Sequence, residues 1–367
     1  MLLQTRFSAI KLSLAALIIQ TAVGCAAKVD RFTLDRVLPV GVEHADLSRA
    51  CVVGDALGIP LEALTNKKAD LALVFADAAS AMCAEQDARA AQLDGALART
   101  NLTGEAMVAT ARDARIREER FRQIAAYRFD RAFKHLEAHY GTVGETCPKI
   151  KEKDEFVYLL GLYAGINGMI MDKASGSTVG VPMDILGKVE RGTACLDNAK
   201  WWHVPASFAW AGRATLLNTE HGDPWEGLET AAAAGDDEGI RLARAVQVLI
   251  LANAGKEEQL RAALEAHAAS YAEIEANTQW ALFDTYATAI SLHESDLLWA
   301  AEAGHRTPVF GELPGAEAEE DSGVDPFGDD PFGADPFGGG EEPASPDVED
   351  TESPTGDTAE STEEPSP

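Results

Sequence analysis

Apolar residues three and four apart recur through residues 45–303, in a background rich in Ala and Leu. That spacing is the period of an amphipathic helix and not the two-residue alternation of a half-buried strand. Leu71, Val74, Phe75, Ala78 and Met82 form one such stripe, with Asn66 ahead of it as a cap. Phe121, Ala125, Phe129, Ala132, Phe133, Leu136 and Tyr140 form a second, and Arg117, Arg120, Arg128, Arg131 and Lys134 fall mostly outside it. Stripes of this kind are core. The β-branched cluster at Val246, Val248 and Ile250 lies inside a longer helical pattern. The chain therefore reads as all-α.

The second half reads as helical hairpins. A helix over 208–217 breaks at Gly222, and Asp223-Pro224-Trp225 opens the next, with Asp as N-cap and Pro at the first helical position. A helix over 240–254 then breaks at Gly255 and is followed by another over 256–271. The two glycines are 33 residues apart, close to the tetratricopeptide period of 34. His267 stands where that repeat usually has Ala. The expected architecture is a set of antiparallel, tetratricopeptide-like hairpins over 41–306, an α-α superhelix.

Residues 307–367 form an acidic tail of Asp, Glu, Pro, Gly, Ser and Thr, expected to be disordered because it is too polar to offset the entropy of ordering. From Gly311 onward it holds 19 Asp and Glu and no Lys or Arg, which is most of the formal net charge of −29. Asp-Pro-Phe-Gly occurs there three times, at 325–328, 330–333 and 335–338. Such copies suit a multivalent short-motif ligand, or form a solvated spacer with no partner. A chain this acidic repels nucleic acid, which excludes that class of partner.

The first 24 residues pass from Arg6 and Lys11 through the apolar run of residues 12–19 to the small residues Ala22-Val23-Gly24. The run is too short to span a bilayer, and the pattern is that of a secretory signal. Cys25 follows at once, as in the bacterial lipobox, where the thiol takes a diacylglyceryl group before cleavage. The expected mature chain is anchored in a lipid bilayer through acylated Cys25. Ala26, in place of an inner-membrane Asp signal, points to the outer membrane, facing the periplasm, with residues 25–40 as a tether. The other four cysteines, Cys51, Cys83, Cys147 and Cys195, contain no CxxC pair. An even number in an oxidising compartment suggests two disulfides. Three pairings are open, of which Cys51–Cys83 and Cys147–Cys195 join neighbouring helices most simply, and free buried thiols are the competing reading.

Signals for catalysis are missing. His135 and His139 stand four apart on one helix, but His-Leu-Glu-Ala-His lacks the Glu a zinc protease carries after its first His, so no metal site is expected. Residues 175–180, Ser-Gly-Ser-Thr-Val-Gly, lack the Lys of a phosphate loop. Neither a nucleophile elbow nor a dinucleotide fingerprint occurs. The chain reads as a non-enzyme without a cofactor. Tyr158, Tyr163 and Asn167, placed roughly on one side of a helix over 154–171, together with Trp201, Trp202 and Trp210, supply what an apolar ligand pocket needs. They equally suit packing between hairpins.

Taken together, the lipobox, the Ala-rich helical body and several local phrases resemble the T-component (TatT) family of TRAP transporters. The phrases are Tyr158-Leu159-Leu160-Gly161-Leu162-Tyr163-Ala164-Gly165, Val181-Pro182, Ala194-Cys195-Leu196-Asp197, Trp201-Trp202 and Gly222-Asp223-Pro224-Trp225-Glu226. The resemblance covers about residues 45–275. It implies a non-catalytic periplasmic transport accessory, a homotrimer with a central pore, that binds a solute-receptor protein and a small organic or hydrophobic ligand. The DPFG tail and the four further cysteines depart from the family's simplest pattern. A tetratricopeptide-like scaffold for cell-envelope assembly is the alternative.

Overall fold

The computed structural model describes residues 28–65 and 70–315. The signal sequence, Cys25, Asn66 and the three DPFG motifs lie outside the described residues. Within them the chain is all-α, with no strand and with helices packed on one another. The helices are α1 (Leu38–Glu43), α2 (Leu47–Thr65), α3 (Asp70–Asn101), α4 (Gly104–Tyr140), α5 (Glu155–Ala174), α6 (Ile185–Thr193), α7 (Val204–Leu216), α8 (Pro224–Asp236), α9 (Leu242–Asn253), α10 (Glu257–Glu273) and α11 (Ala281–Glu302).

The longest two, α3 and α4, form a hairpin closed by Leu102 and Thr103. Its antiparallel register is written in polar contacts along one flank. Arg117 pairs with Asp94 at 3.0 Å, Arg122 donates to Gln92 at 3.2 Å, Arg128 donates to the Ser80 carbonyl at 2.7 Å, and Arg131 lies 3.4 Å from Asp77. The arginines flanking the second stripe thus lie along the seam, where their stems cover apolar surface and their heads reach across.

Helix α5 is almost wholly buried, and its glycines explain how it can sit so close to α4. A Cβ at Gly161 would lie 2.7 Å from Leu136, and one at Gly165 would lie 2.7 Å from Phe133. Gly168 faces Phe129 at 3.3 Å. Glycines at 161, 165 and 168 share one helix face and form a groove for the large side chains of the α4 stripe.

Downstream, α6 to α10 pack each on the next. Asp223 caps α8, accepting from the Trp225 N–H at 2.9 Å with Pro224 at the start of the helix. Gly222 and Gly255 both adopt positive φ, 113° and 66°, at the breaks before α8 and α10. Helix α11 then returns across α9 to α3 and α1, so the end of the helical chain closes on its beginning.

Two expected boundaries move. Residues 28–43 are not a tether, because they are helical, with a π turn at Thr33–Val37 ahead of Pro39. Leu34, Leu38 and Val42, spaced by four, are buried in the core. Asp30 accepts from the Ala72 N–H at 3.0 Å, and Arg31 pairs with Asp154 at 2.9 Å. At the other end, residues 307–315 belong to the body. The Thr307 N–H donates to Asp296 at 2.9 Å, the Phe310 ring packs on His267 and Tyr271, and Leu313 is buried. Trp299 donates to the Glu312 carbonyl at 2.9 Å, and Arg261 donates to that of Pro314 at 2.7 Å.

Candidate ligand-binding site

The four cysteines form the two disulfides Cys51–Cys83 and Cys147–Cys195, each with Cα atoms 5.2 Å apart. The first staples α2 to α3. The second joins connecting segments instead of helices, the α4–α5 loop to the turn after α6.

The aromatic residues divide among three places. Tyr163 and Trp202, with Met82, Leu160, Phe208 and Tyr286, line an apolar void of about 20 Å³. That is room for one water and not for an organic ligand. Trp201 stacks edge-on to Trp202 and Trp280 and donates to Glu155 at 3.0 Å. Trp210 lies beneath the Arg213 guanidinium, 4.4 Å from its carbon, and over Gly227. Tyr158 does not share a side with Tyr163, since five residues turn a helix by about 140°. Its ring meets Tyr140, and burial lifts its hydroxyl to about 12. These residues pack the core.

Asn167 leads elsewhere. It lies one turn beyond Tyr163, is 2 % exposed, and faces a polar cavity of about 250 Å³. Glu85, Arg89 and Gln92 on α3 and Arg122 on α4 form one side, and His293 and Glu294 on α11 another. Ile170 and Met171 on α5, Leu249 and Ala252 on α9, and Leu297 on α11 supply apolar wall.

A buried hydrogen-bond chain holds the α3 side in place. The Tyr163 hydroxyl meets that of Tyr286, which donates to Glu85 Oε2, and Arg89 donates to Glu85 Oε1 at 2.6 Å. Burial, reinforced by the Glu85 charge, raises both tyrosine hydroxyls well above their usual range, so they remain protonated donors. Gln92 Oε1 accepts from Arg122 at 3.2 Å and lies 3.1 Å from His293 Nε2. Burial and then the positive charge of Arg89 lower His293 to about 3, so it is neutral, and its bond to Gln92 places the proton on Nε2. Burial raises the carboxyl of Glu294.

The residues flagged for other chemistry have structural partners. Asp172 accepts from the N–H groups of Val179, Gly180 and Val181 at 2.8, 3.0 and 2.8 Å, filling with its own carboxylate the loop that resembled a phosphate cradle. His135 Nε2 lies 3.6 Å from Asp77. Among the described residues no group of His, Cys, Asp and Glu is arranged to hold a metal, and no helix is long and apolar enough to cross a membrane.

The cavity was not anticipated. Its signal on α3 is Glu85, Arg89 and Gln92 at positions i, i+4 and i+7, a polar stripe on an otherwise Ala-rich helix. Comparison with known proteins adds no assignment, because no family model, curated protein or solved structure matches this chain.

Proposed function

We propose that this chain is a non-catalytic binding module, lipid-anchored through Cys25 at the periplasmic face of the outer membrane, which serves a TatT-type transport accessory role by holding a small organic ligand and docking a solute-receptor protein. The observation that carries the reading is the 250 Å³ cavity, walled by five helices and lined by both polar and apolar side chains. Pockets that mix an apolar wall with a few fixed polar groups are built for small-molecule recognition. Native mass spectrometry of the purified chain tests it, and a retained small molecule within a homotrimer is the expected result. A ligand-free monomer that ignores solute receptors overturns the reading. The anchor is tested separately: labelled palmitate incorporates into the wild type and not into Cys25→Ser.

A scaffold role rests on a different observation. Val40 on α1 and Val52 and Ile59 on α2 are exposed apolar side chains near the start of the body. Loss of partner binding in Val52→Lys/Ile59→Lys with ligand retention intact favours that role.

A further inference from the structure

We infer that the outer face of α2 is a seat for the bilayer surface that holds the lipid anchor, so that the body lies with α2 in the interfacial layer. The inference rests on the anchor reading above. It assigns to lipid the face that the scaffold alternative gives to a protein.

Helix α2 is apolar on two sides. Its inward side carries Leu61, which is buried, and Gly54, which meets the backbone of α3. On the opposite side Val52, Ala56, Ile59, Pro60 and Ala63 fall within about 100° of arc, and all five are exposed. Val52 is 68 % exposed and Ile59 78 %. A helix on the surface of a globular body normally turns polar residues to water, and this face is apolar over about three turns. The carboxylates at its edge are neutralised, because Asp55 pairs with Arg128 at 3.1 Å and Glu62 pairs with Arg131. Arg49, on the same arc, lines a groove of about 430 Å³ between α1 and α2 with Arg36, Val40, Val53 and Phe75. The groove carries the apolar surface on to α1, and the two arginines supply long stems with heads that suit headgroup depth.

What covers this face follows from where the anchor must lie. Asp30 accepts from the Ala72 N–H at 3.0 Å in the first turn of α3, just beyond the end of α2 at Thr65. Cys25 stands five residues before Asp30, and five residues reach at most about 18 Å. The acyl chains are thereby confined to the end of the body where α2 gives way to α3, and α2 itself is about 28 Å long. An apolar helix face beside a lipid anchor lies in the plane of the interface, about 5–10 Å into the headgroup boundary. The formal charge of −29 opposes an anionic surface, so the lipid that fits is zwitterionic. Acyl chains alone limit how far the body strays. The α2 seat also fixes which side it presents.

The test is flotation with vesicles of phosphatidylcholine and phosphatidylethanolamine. It uses the mature chain from residue 25 onward carrying Cys25→Ser, which removes the acyl chains and leaves the face intact. This chain is expected to float with the vesicles, and to do so in high salt because the contact is apolar. Val52→Gln/Ile59→Gln changes no charge and replaces only exposed side chains, so the fold is kept, with circular dichroism as the check. Its partition coefficient should fall about tenfold. Val108→Gln, at a site 58 % exposed on α4, should leave flotation unchanged. Equal flotation with and without Val52→Gln/Ile59→Gln, or none by either, overturns the seat, while palmitate on Cys25 leaves the anchor reading standing. A dimer that Val52→Gln/Ile59→Gln dissociates, with no flotation, gives the face to a second copy and also overturns the seat. Absence of palmitate from the wild type overturns both.

Discussion

Arg241 and Asp284, 43 residues apart, meet through two bonds: the Arg241 backbone N–H donates to one carboxylate oxygen at 3.0 Å and its guanidinium to the other at 2.7 Å. Arg241 has no solvent exposure, and it also donates to the Ser270 and Ile274 carbonyls at the end of α10. One side chain thus ties the start of α9 to the last turn of α10 and the first turn of α11.

Removing the anion leaves a buried cation unpaired. Asp284→Ala should lower stability by about 3–5 kcal/mol, the usual cost of breaking a buried pair from one side. Asp284→Asn, which keeps an acceptor, should cost less. Urea denaturation followed by circular dichroism measures both.

Each disulfide closes a sizeable loop, with Cys51 and Cys83 separated by 32 positions in sequence and Cys147 and Cys195 by 48. Replacing either pair with Ala should destabilise the protein by about 2–4 kcal/mol. A reducing agent should lower the wild-type denaturation midpoint and leave a variant lacking all four cysteines unchanged.

Two glycines in α2 should respond in opposite directions to Ala. A Cβ at Gly54 would lie 2.6 Å from the Ser80 nitrogen and 2.9 Å from the Ala79 carbonyl carbon, and this backbone cannot yield. Gly54→Ala must part α2 from α3, at a cost of about 1–3 kcal/mol. Nothing lies within 4 Å of a Cβ at Gly58, so Gly58→Ala should stabilise by about 0.5–1 kcal/mol through helix propensity. Thermal melts of the two variants supply the comparison.

His267 provides a pH signature. Its ring is buried between Ser291, 2.8 Å from Nδ1, and Thr288, 3.3 Å from Nε2, and burial, with Arg241 next, lowers it to about 3. The unfolded chain binds this proton near pH 6.5, whereas the folded chain does not until far lower. A depressed folded value means stability that is present above pH 6.5 and lost as pH falls toward 3. Between pH 7 and pH 5 the wild type should lose about 2 kcal/mol more than His267→Gln. Denaturant titrations at the two pH values would contradict this if both proteins lost the same amount.

Local features were readable from the chain alone. The helical period, the Asp223 cap and the breaks at Gly222 and Gly255 all depend on residues within a turn or two of each other. The short apolar stripe at Leu34, Leu38 and Val42 was hidden because it is only three residues long and has Pro39 inside it. Residues 307–315 looked like the rest of the acidic tail, and their order comes from partners such as Asp296 and Arg261 on α11 and α10. The aromatic cluster drew attention because Tyr and Trp are conspicuous in any pocket. The cavity instead uses Glu85, held by Tyr286 across 201 residues, and Gln92 and His293, which meet across the same distance. No spacing rule links positions that far apart.

The span from Glu85 to Glu294 gives the cavity a thermodynamic consequence. Since its walls come from both ends of the helical chain, it has no counterpart in any partly folded fragment, and on the proposed ligand-binding reading occupancy would be linked to complete folding. A ligand at 100 times its dissociation constant would add about 2.7 kcal/mol to the apparent stability. Preparations that differ only in what the cells were fed would then melt at different temperatures.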